Sequence, residues 1–380
     1  MHFLKHFSPE LVVKSPGRIN LIGEHTDYNM GYVLPTAIEK NIKFSLQKNG
    51  SDHHCNVYSR TYDTGFEIDL NKISVSRVEW ENYILGVLYE ISKISNELGG
   101  FDCIVASNLP TGSGLSSSAA LECGLAFGLN ELFGLGLTKL QLVQLSQTAE
   151  HTYVGTQCGI MDQFASVMSK AGHVIMLDCR SLKYDYIPID LFPYRIILLN
   201  TKVSHNLASS EYNTRKEECE QGVAIIRKQF PQVDSLRDVN QSMLEECKNN
   251  LSQKVYLRCK FIIAENERVI KMAKALKEKD LPTLGGLLYE AHEGISEQYE
   301  VSCKESDFLV AFSKKNSNVL GARQTGGGFG GCTLNIVHQD AVLEFIESAS
   351  KSYKDKFGIQ LEAFEVKPSG GTSKLSNSVG

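Results

Sequence analysis

No run in the sequence is apolar for long enough to cross a bilayer, and the first residues, Met-His-Phe-Leu-Lys-His-Phe-Ser, hold no sustained hydrophobic leader. These two absences predict a cytoplasmic protein with no membrane association. Basic charge is also scarce: 39 Lys and Arg face 44 Asp and Glu, a formal charge of −5, which leaves no footprint for nucleic acid and favours small metabolites as partners. The 10 cysteines lie scattered, without a Cys-x-x-Cys pair or a Cys/His cluster. That pattern argues against a structural zinc site and against a secreted disulfide scaffold, and reads most of them as small buried hydrophobes. There is no internal repeat. The only biased tract is the polar tail from Ser369, whose Gly370-Gly371 and Ser-rich end is expected to fray.

What remains is an ordinary globular composition, 42% hydrophobic and 22% charged over 380 residues, enough for a large core and either two domains or one large one. The densest chemistry lies in residues 15–28, Ser-Pro-Gly-Arg-Ile-Asn-Leu-Ile-Gly-Glu-His-Thr-Asp-Tyr. Arg18, Glu24, His25 and Asp27 bring a guanidinium, two carboxylates and an imidazole into otherwise apolar or turn-forming chain. Carboxylates beside an imidazole suit the vicinal hydroxyls of a polyol, and a guanidinium suits an anion. A charged loop with an internal salt bridge accounts equally well for the charges alone. Pro16-Gly17 and Asn29-Met-Gly31 predict turns on either side, with a strand over residues 11–14 before the first.

A second signal is residues 109–120, Leu-Pro-Thr-Gly-Ser-Gly-Leu-Ser-Ser-Ser-Ala-Ala. Gly112 and Gly114 allow close backbone approach, and Ser113, Leu115, Ser116, Ser117 and Ser118 lead into a helix that is apolar nearly all round, over residues 119–133. A helix start offers free amides and a positive dipole end to phosphate, and serine hydroxyls can reach magnesium. A flexible turn with an N-cap serine is the plainer reading, but it leaves three serines before a buried helix unexplained. The segment is neither a Walker A loop nor a Gly-x-Ser-x-Gly elbow.

Glu150 and Asp162 flank Gly155 and Gly159, so Glu150 should end one helix, opened by a capping box at Thr138, and Asp162 should begin the next. Asp162 sits among Ile160, Met161 and Phe164, where a carboxylate is costly without a partner, and Arg18 is the natural candidate. Alone, each would read as an ordinary helix-end or surface acid. Residues 324–334, Gln-Thr-Gly-Gly-Gly-Phe-Gly-Gly-Cys-Thr-Leu, contain a formal Gly-x-Gly-x-x-Gly followed by a β-like run, so they predict a glycine hairpin and not a dinucleotide site. Helices are expected near Trp80, over 211–230 and over 257–279, with strands at 101–105, 174–177 and 333–337.

Residues 15–28 resemble the signature of galactokinases, within the wider family of galacto-, homoserine, mevalonate and phosphomevalonate kinases, and the resemblance continues almost to the C-terminus. It implies an α+β fold of two domains. Residues 1–190 would form an N-terminal α/β domain like ribosomal protein S5 domain 2, residues 191–380 a C-terminal ferredoxin-like domain, with the active site between them. It implies transfer of the ATP γ-phosphoryl group to the C1 hydroxyl of α-D-galactose, the first committed step of galactose catabolism, by a monomer with Mg2+.

By the same resemblance, Asp162 and Arg18 are catalytic. Arg18, Glu24, His25, Asp27, Gly159, Asp162 and Tyr212 bind the sugar. Residues 112–118 bind ATP, Trp80 and Tyr83 flank the adenine, Ser118 and Glu150 hold the metal, and the glycine hairpin closes near the phosphates. Trp80 and Tyr83 serve equally well as a core pair on a helix face. Some relatives carry an arginine near Ser204, so phosphate assistance from there is either missing in this sequence or supplied by Lys202. The same chemistry on N-acetylgalactosamine or arabinose is the nearest alternative. A catalytically silent galactose sensor is the alternative from another class, against which the intact serine motif and Asp162 speak.

Overall fold

The computed structural model describes residues 2–110, 112–203 and 208–375. The first half builds β1 (Leu11–Asn20), β2 (Tyr32–Val33), β3 (Pro35–Lys48), β4 (His54–Ser59), β5 (Thr64–Asp69), α1 (Glu79–Ser92), β6 (Phe101–Ser107), α2 (Ser117–Phe133), α3 (Lys139–Ala149), α4 (Met161–Met168), β7 (His173–Asp178) and β8 (Tyr184–Pro188). The second builds β9 (Tyr194–Asn200), α5 (Ala208–Gln229), α6 (Gln241–Glu246), α7 (Gln253–Glu278), α8 (Leu281–Glu293), α9 (Lys304–Lys314), β10 (Val319–Thr325), β11 (Cys332–His338), α10 (Val342–Phe357), β12 (Glu362–Val366) and β13 (Ser373–Lys374).

The strands form three sheets, a six-stranded one in the order β13-β1-β3-β6-β4-β5, a four-stranded one in the order β10-β11-β9-β12, and a small β2-β7-β8 sheet. All pairings are antiparallel except β4 with β6. Helix α2 packs on β1 and β3 and against α1 and α3, so it is covered on several sides, which is why its sequence lacks a polar face. The largest apolar cluster runs from Val13 and Phe44 through Leu88 and Leu125 to Leu198, Leu334 and Ile336, so it joins the six- and four-stranded sheets. Among the described residues no helix is long and apolar enough to cross a membrane.

Helix placement follows local chemistry. Thr138 and Gln141 form the expected capping box at the start of α3, and Glu150 and Asp162 fall at the end of α3 and in the first turn of α4. Eight of the ten cysteines are buried and all are free.

One local expectation fails, and a second does not hold over the part of the tail described. Pro16-Gly17 makes no turn: β1 continues through it with a register shift between Pro16 and Arg18 opposite β3. A bulge tolerates a residue without an N–H, and it carries Arg18 onward within the strand. The tail is held in place over 369–375, and its last residues, 376–380, lie outside the described residues. Ser369 N donates to Ala37 O, Thr372 N donates to Ser166 O at 2.7 Å, and β13 pairs with β1. These backbone bonds anchor a sequence whose composition alone favours disorder.

Candidate active site

Two neighbouring cavities gather the residues singled out in the polar loop, at Glu150, Gly159, Asp162 and Tyr212, at Trp80 and Tyr83, and, from the serine loop, Ser117 and Ser118; residues 112–116 line neither. The first, about 490 Å³, is lined by Arg18, Glu24, His25, Asp27, Glu150, Gly159, Asp162 and Tyr212, with Thr156, Cys158, Met161 and Gly327 completing it. Strand β1 delivers Arg18, the loop after it delivers Glu24, His25 and Asp27, the first turn of α4 delivers Asp162, and α5 delivers Tyr212.

Arg18 and Asp162 form a bidentate pair, with Nε donating to Oδ1 and Nη2 to Oδ2, each at 2.7 Å. Arg18 Nη1 also donates to Gly114 O at 2.6 Å, and the Ser116 hydroxyl donates to Asp162 Oδ2. One ion pair thus ties β1, the serine loop and α4 together. Gly159 has no room for a side chain: a Cβ there would lie 2.1 Å from the Asp27 carboxyl carbon.

Burial dominates the electrostatics. It pushes Asp27 up to about 7, with the Asp162 charge adding to the effect, and pushes Glu150 up to about 7 with the same helper. The His25 imidazole is pushed down to about 3, first by burial and then by the Arg215 cation. For Arg18, burial opposes the charged form, but Asp162, Glu24 and Asp27 outweigh it and raise its pKa. Glu150 is therefore no surface acid. It is 6% exposed, accepts from Gln163 Nε2 at 2.7 Å and hydrogen-bonds Ser118.

The second cavity, about 620 Å³, is mainly apolar and is lined by Trp80, Tyr83, Ile42, Leu109 and Leu121 beside Ser117 and Ser118. Trp80 sits edge-on to Phe66, with ring centroids 5.2 Å apart. Ser116 caps α2 in a left-handed conformation, φ 57°, without a capping hydrogen bond from its own side chain, so the first-turn amides have no side-chain cap.

Not every residue of the serine loop faces outward. Ser113 is buried with its hydroxyl donated to Pro110 O, and Leu115 is buried with its carbonyl accepting from Arg18 N. Gly112 is exposed and Gly114 half-buried. The glycine hairpin between β10 and β11 folds onto this loop, so closely that a Cβ at Gly326, φ +89°, would lie 2.5 Å from Gly114 O. Lys202 pairs with Glu362, and Ser204 lies outside the described residues.

Four residues escaped the sequence reading. Arg323, fully buried at the end of β10, donates to Glu24 Oε1 at 2.8 Å and to Leu21 O at 2.9 Å. Glu265 on α7 accepts from Gly23 N at 2.8 Å and Glu24 N at 3.3 Å, clamping the polar loop. Tyr299 packs on His25 with centroids 4.9 Å apart. Glu122, the acidic exception in the buried part of α2, sits beside Glu150, and burial followed by the Glu150 charge raises its pKa well above the ordinary range. A glutamate inside an apolar helix was the one signal in the sequence, and Arg323 left none because its strand and its burial emerge only from the fold. Glu265 and Tyr299 left no such trace.

Known proteins resemble the chain over nearly its whole length. The chain matches the galactokinase galactose-binding signature over residues 1–48, the GHMP kinases N terminal domain over 82–170 and the GHMP kinases C terminal model over 272–355. It is 41% identical to a galactokinase of Thermotoga maritima, over 96% of this chain and 99% of that protein, and 37% identical to one of Clostridium acetobutylicum, over 98% and 96%. The crystal structure of Lactococcus lactis galactokinase complexed with galactose superposes with a TM-score of 0.93 at 34% identity, covering 98% of both chains. Methanococcus jannaschii mevalonate kinase shares the fold, with a TM-score of 0.66 at 15% identity over 95% of this chain and 98% of that one. Near-full-length identity of this order, together with the sugar signature and both kinase models, shows that the chain belongs to the galactokinase family.

Proposed function

We propose that the protein phosphorylates the C1 hydroxyl of α-D-galactose with ATP, releasing galactose 1-phosphate and ADP. The observation that carries this reading is the junction of the two cavities. Ser116 and Gly114 of the serine loop bond directly to the Asp162–Arg18 pair, so a phosphate donor over the loop would meet an acceptor hydroxyl beside Asp162.

In this reading Glu24, His25, Asp27 and Tyr212 orient the sugar, and Trp80 and Tyr83 receive the base of the nucleotide. Asp162 accepts the hydrogen bond of the C1 hydroxyl and takes up its proton as the phosphoryl group transfers, while Arg18 offsets the negative charge between them. Positioning and charge stabilisation supply most of the acceleration in phosphoryl transfer, with a general base adding ~10²–10⁴-fold. The division of the chain near residue 190 into two domains, with the sugar cavity drawing on both, belongs to the same proposal.

Ser118 and Glu150, with Glu122 beside them, suit the magnesium ion that accompanies ATP. The two buried carboxylates share a single amide donor, Gln163 Nε2, and Glu122 Oε1 has no partner. That is an excess of acceptors fit for a hard cation. Among the described residues no group of three or more His, Cys, Asp or Glu could hold a metal. Magnesium in nucleotide sites takes only one or two carboxylates and completes its shell with phosphates and water. When bound, the ion neutralises phosphate charge.

The test is ADP release with Mg-ATP and a panel of galactose, N-acetylgalactosamine, arabinose, glucose and mevalonate. Turnover with galactose that falls ~10²–10⁴-fold in Asp162→Asn supports both acceptor and site. Preference for another panel member overturns the acceptor. Galactose binding without turnover indicates a sensor.

A further inference from the structure

His25 enters the sugar cavity with a left-handed backbone, φ 63°, which a non-glycine residue seldom adopts unless its surroundings impose it. Behind it runs a chain of hydrogen bonds. His25 Nδ1 lies 2.9 Å from the Tyr28 hydroxyl, Tyr28 lies 2.8 Å from the Tyr299 hydroxyl, and Tyr299 lies 3.2 Å from Cys219 Sγ. The chain leads away from the cavity, since Tyr299 is fully buried and Cys219 is 1% exposed. On the other side of the ring, Nε2 is buried and has no hydrogen-bond partner of good geometry.

The neutral ring carries one proton, on Nδ1 or on Nε2, and the chain must run in one direction or the other. A proton on Nδ1 would force Tyr28 to donate to Tyr299 and Tyr299 to donate to sulfur, a weak acceptor. Asn29, which donates Nδ2 to His25 O at 2.9 Å, also hydrogen-bonds that sulfur, so its acceptor side is already engaged. In the opposite direction Cys219 donates to Tyr299, Tyr299 to Tyr28, and Tyr28 to Nδ1, the best acceptor of the set. The strong donors then meet strong acceptors, and the weak group sits at the end where least is lost.

The cavity itself asks for the same arrangement. Glu24, Asp27, Glu150 and Asp162 supply acceptors around it, and the side chains that can donate are Arg18, Tyr212, Thr156, His25 and, weakly, Cys158. A hydroxyl that gives its proton to a carboxylate needs a donor for its own oxygen. We propose that Tyr28 and Tyr299, terminated by Cys219, hold His25 in the tautomer that carries its proton on Nε2, so that His25 donates to a substrate hydroxyl. Tyr28 and Tyr299 are then positioning residues, acting through His25. The substrate half of this inference rests on reading the cavity as a sugar site; the tautomer half does not.

The test is the 15N spectrum of histidine-labelled protein without sugar, with His25 identified by the signals lost in His25→Gln. The expected result is a pyridine-type Nδ1 and a pyrrole-type Nε2; the reverse overturns the proposal. In Tyr28→Phe both nitrogens should move toward averaged shifts. The KM for galactose should rise about tenfold, with kcat and the KM for ATP within about twofold of the parent. Tyr299→Phe keeps the ring packed 4.7 Å from Phe261 and should shift both readouts in the same direction by less, which covers the case of Tyr28→Phe failing to fold. An unchanged spectrum and unchanged KM in these variants overturn the positioning role. Because the spectrum is read without sugar, a preference for another acceptor would overturn the sugar reading and leave the tautomer standing.

Discussion

The cavity proposed for the sugar is walled by four carboxylates, a guanidinium, an imidazole and a phenol, whereas the cavity at Trp80 is walled mainly by apolar and hydroxyl-bearing side chains. Their origins differ as much as their chemistry. The first draws its lining from Arg18 through Gly327, the second only from Ile42 through Leu121. A small polar ligand offers little apolar area, so its site must supply many directed hydrogen bonds from buried groups, each needing support of its own. A flat aromatic ligand is held by area and shape, which two helices and one sheet face provide. The sugar cavity should accordingly be the more fragile of the two.

The severest way to separate them is Arg323→Met. It leaves Glu24 buried without its cation, and losing one partner of such a pair costs about 3–5 kcal/mol. A large fall in thermal stability and loss of galactose binding are expected, with binding of an ATP analogue retained at a temperature where the variant is folded. Equal loss of both ligands would erase the distinction. Gly159→Ala is gentler to the fold but drives a methyl group into Asp27. Galactose KM should rise by about a hundredfold, roughly 2.7 kcal/mol, with the KM for ATP nearly unchanged in steady-state kinetics.

Asp27 also gives the comparison a pH signature. Its folded pKa, about 7, lies above its ordinary 3.8, so the folded chain holds the proton more tightly. That contribution is complete below about pH 4 and is lost as pH rises through 7. Relative to Asp27→Asn, the stability of the parent should therefore fall across this window by up to about 1.4 kcal/mol per pH unit in denaturant titrations. His25, held down at about 3, acts with the opposite sign, being stabilising above its unfolded value and costly as pH falls, but it is common to both proteins and cancels in the difference. Parallel curves would show Asp27 ionised throughout. The smallest effect is expected at the open cavity: Trp80→Ala should weaken ATP binding by about fivefold to tenfold, near 1 kcal/mol, and leave galactose binding untouched in calorimetry.

Legibility in the sequence follows the same division. The residues of the polar loop, the serine loop and the α4 turn could be named because each sits in a dense local pattern, and the apolar neighbours of Asp162 pointed to Arg18 as its partner. Trp80 and Tyr83 were ambiguous between core and ligand face because helical spacing is the same for both. Arg323, Glu265 and Tyr299 act on the loop from roughly 240 to 300 residues away, beyond any spacing rule. Pro16-Gly17 misled for a related reason: whether such a pair turns or bulges depends on the strand opposite, and β3 keeps β1 extended.

The sequence by itself determined the inventory of chemistry, a run with Arg18, Glu24, His25 and Asp27, a serine loop before a buried helix, a glycine hairpin and a partnered Asp162, because these depend on short-range spacing and on the cost of burying charge. The tertiary structure alone decided how those groups are held. The Glu24–Arg323 pair, the Glu265 clamp, the Gly326 contact with Gly114 and the chain from His25 to Cys219 each join segments far apart in the chain. Hydrogen bonds and ion pairs act over a few ångströms, and only the packing of the two halves about a shared core brings these atoms that close.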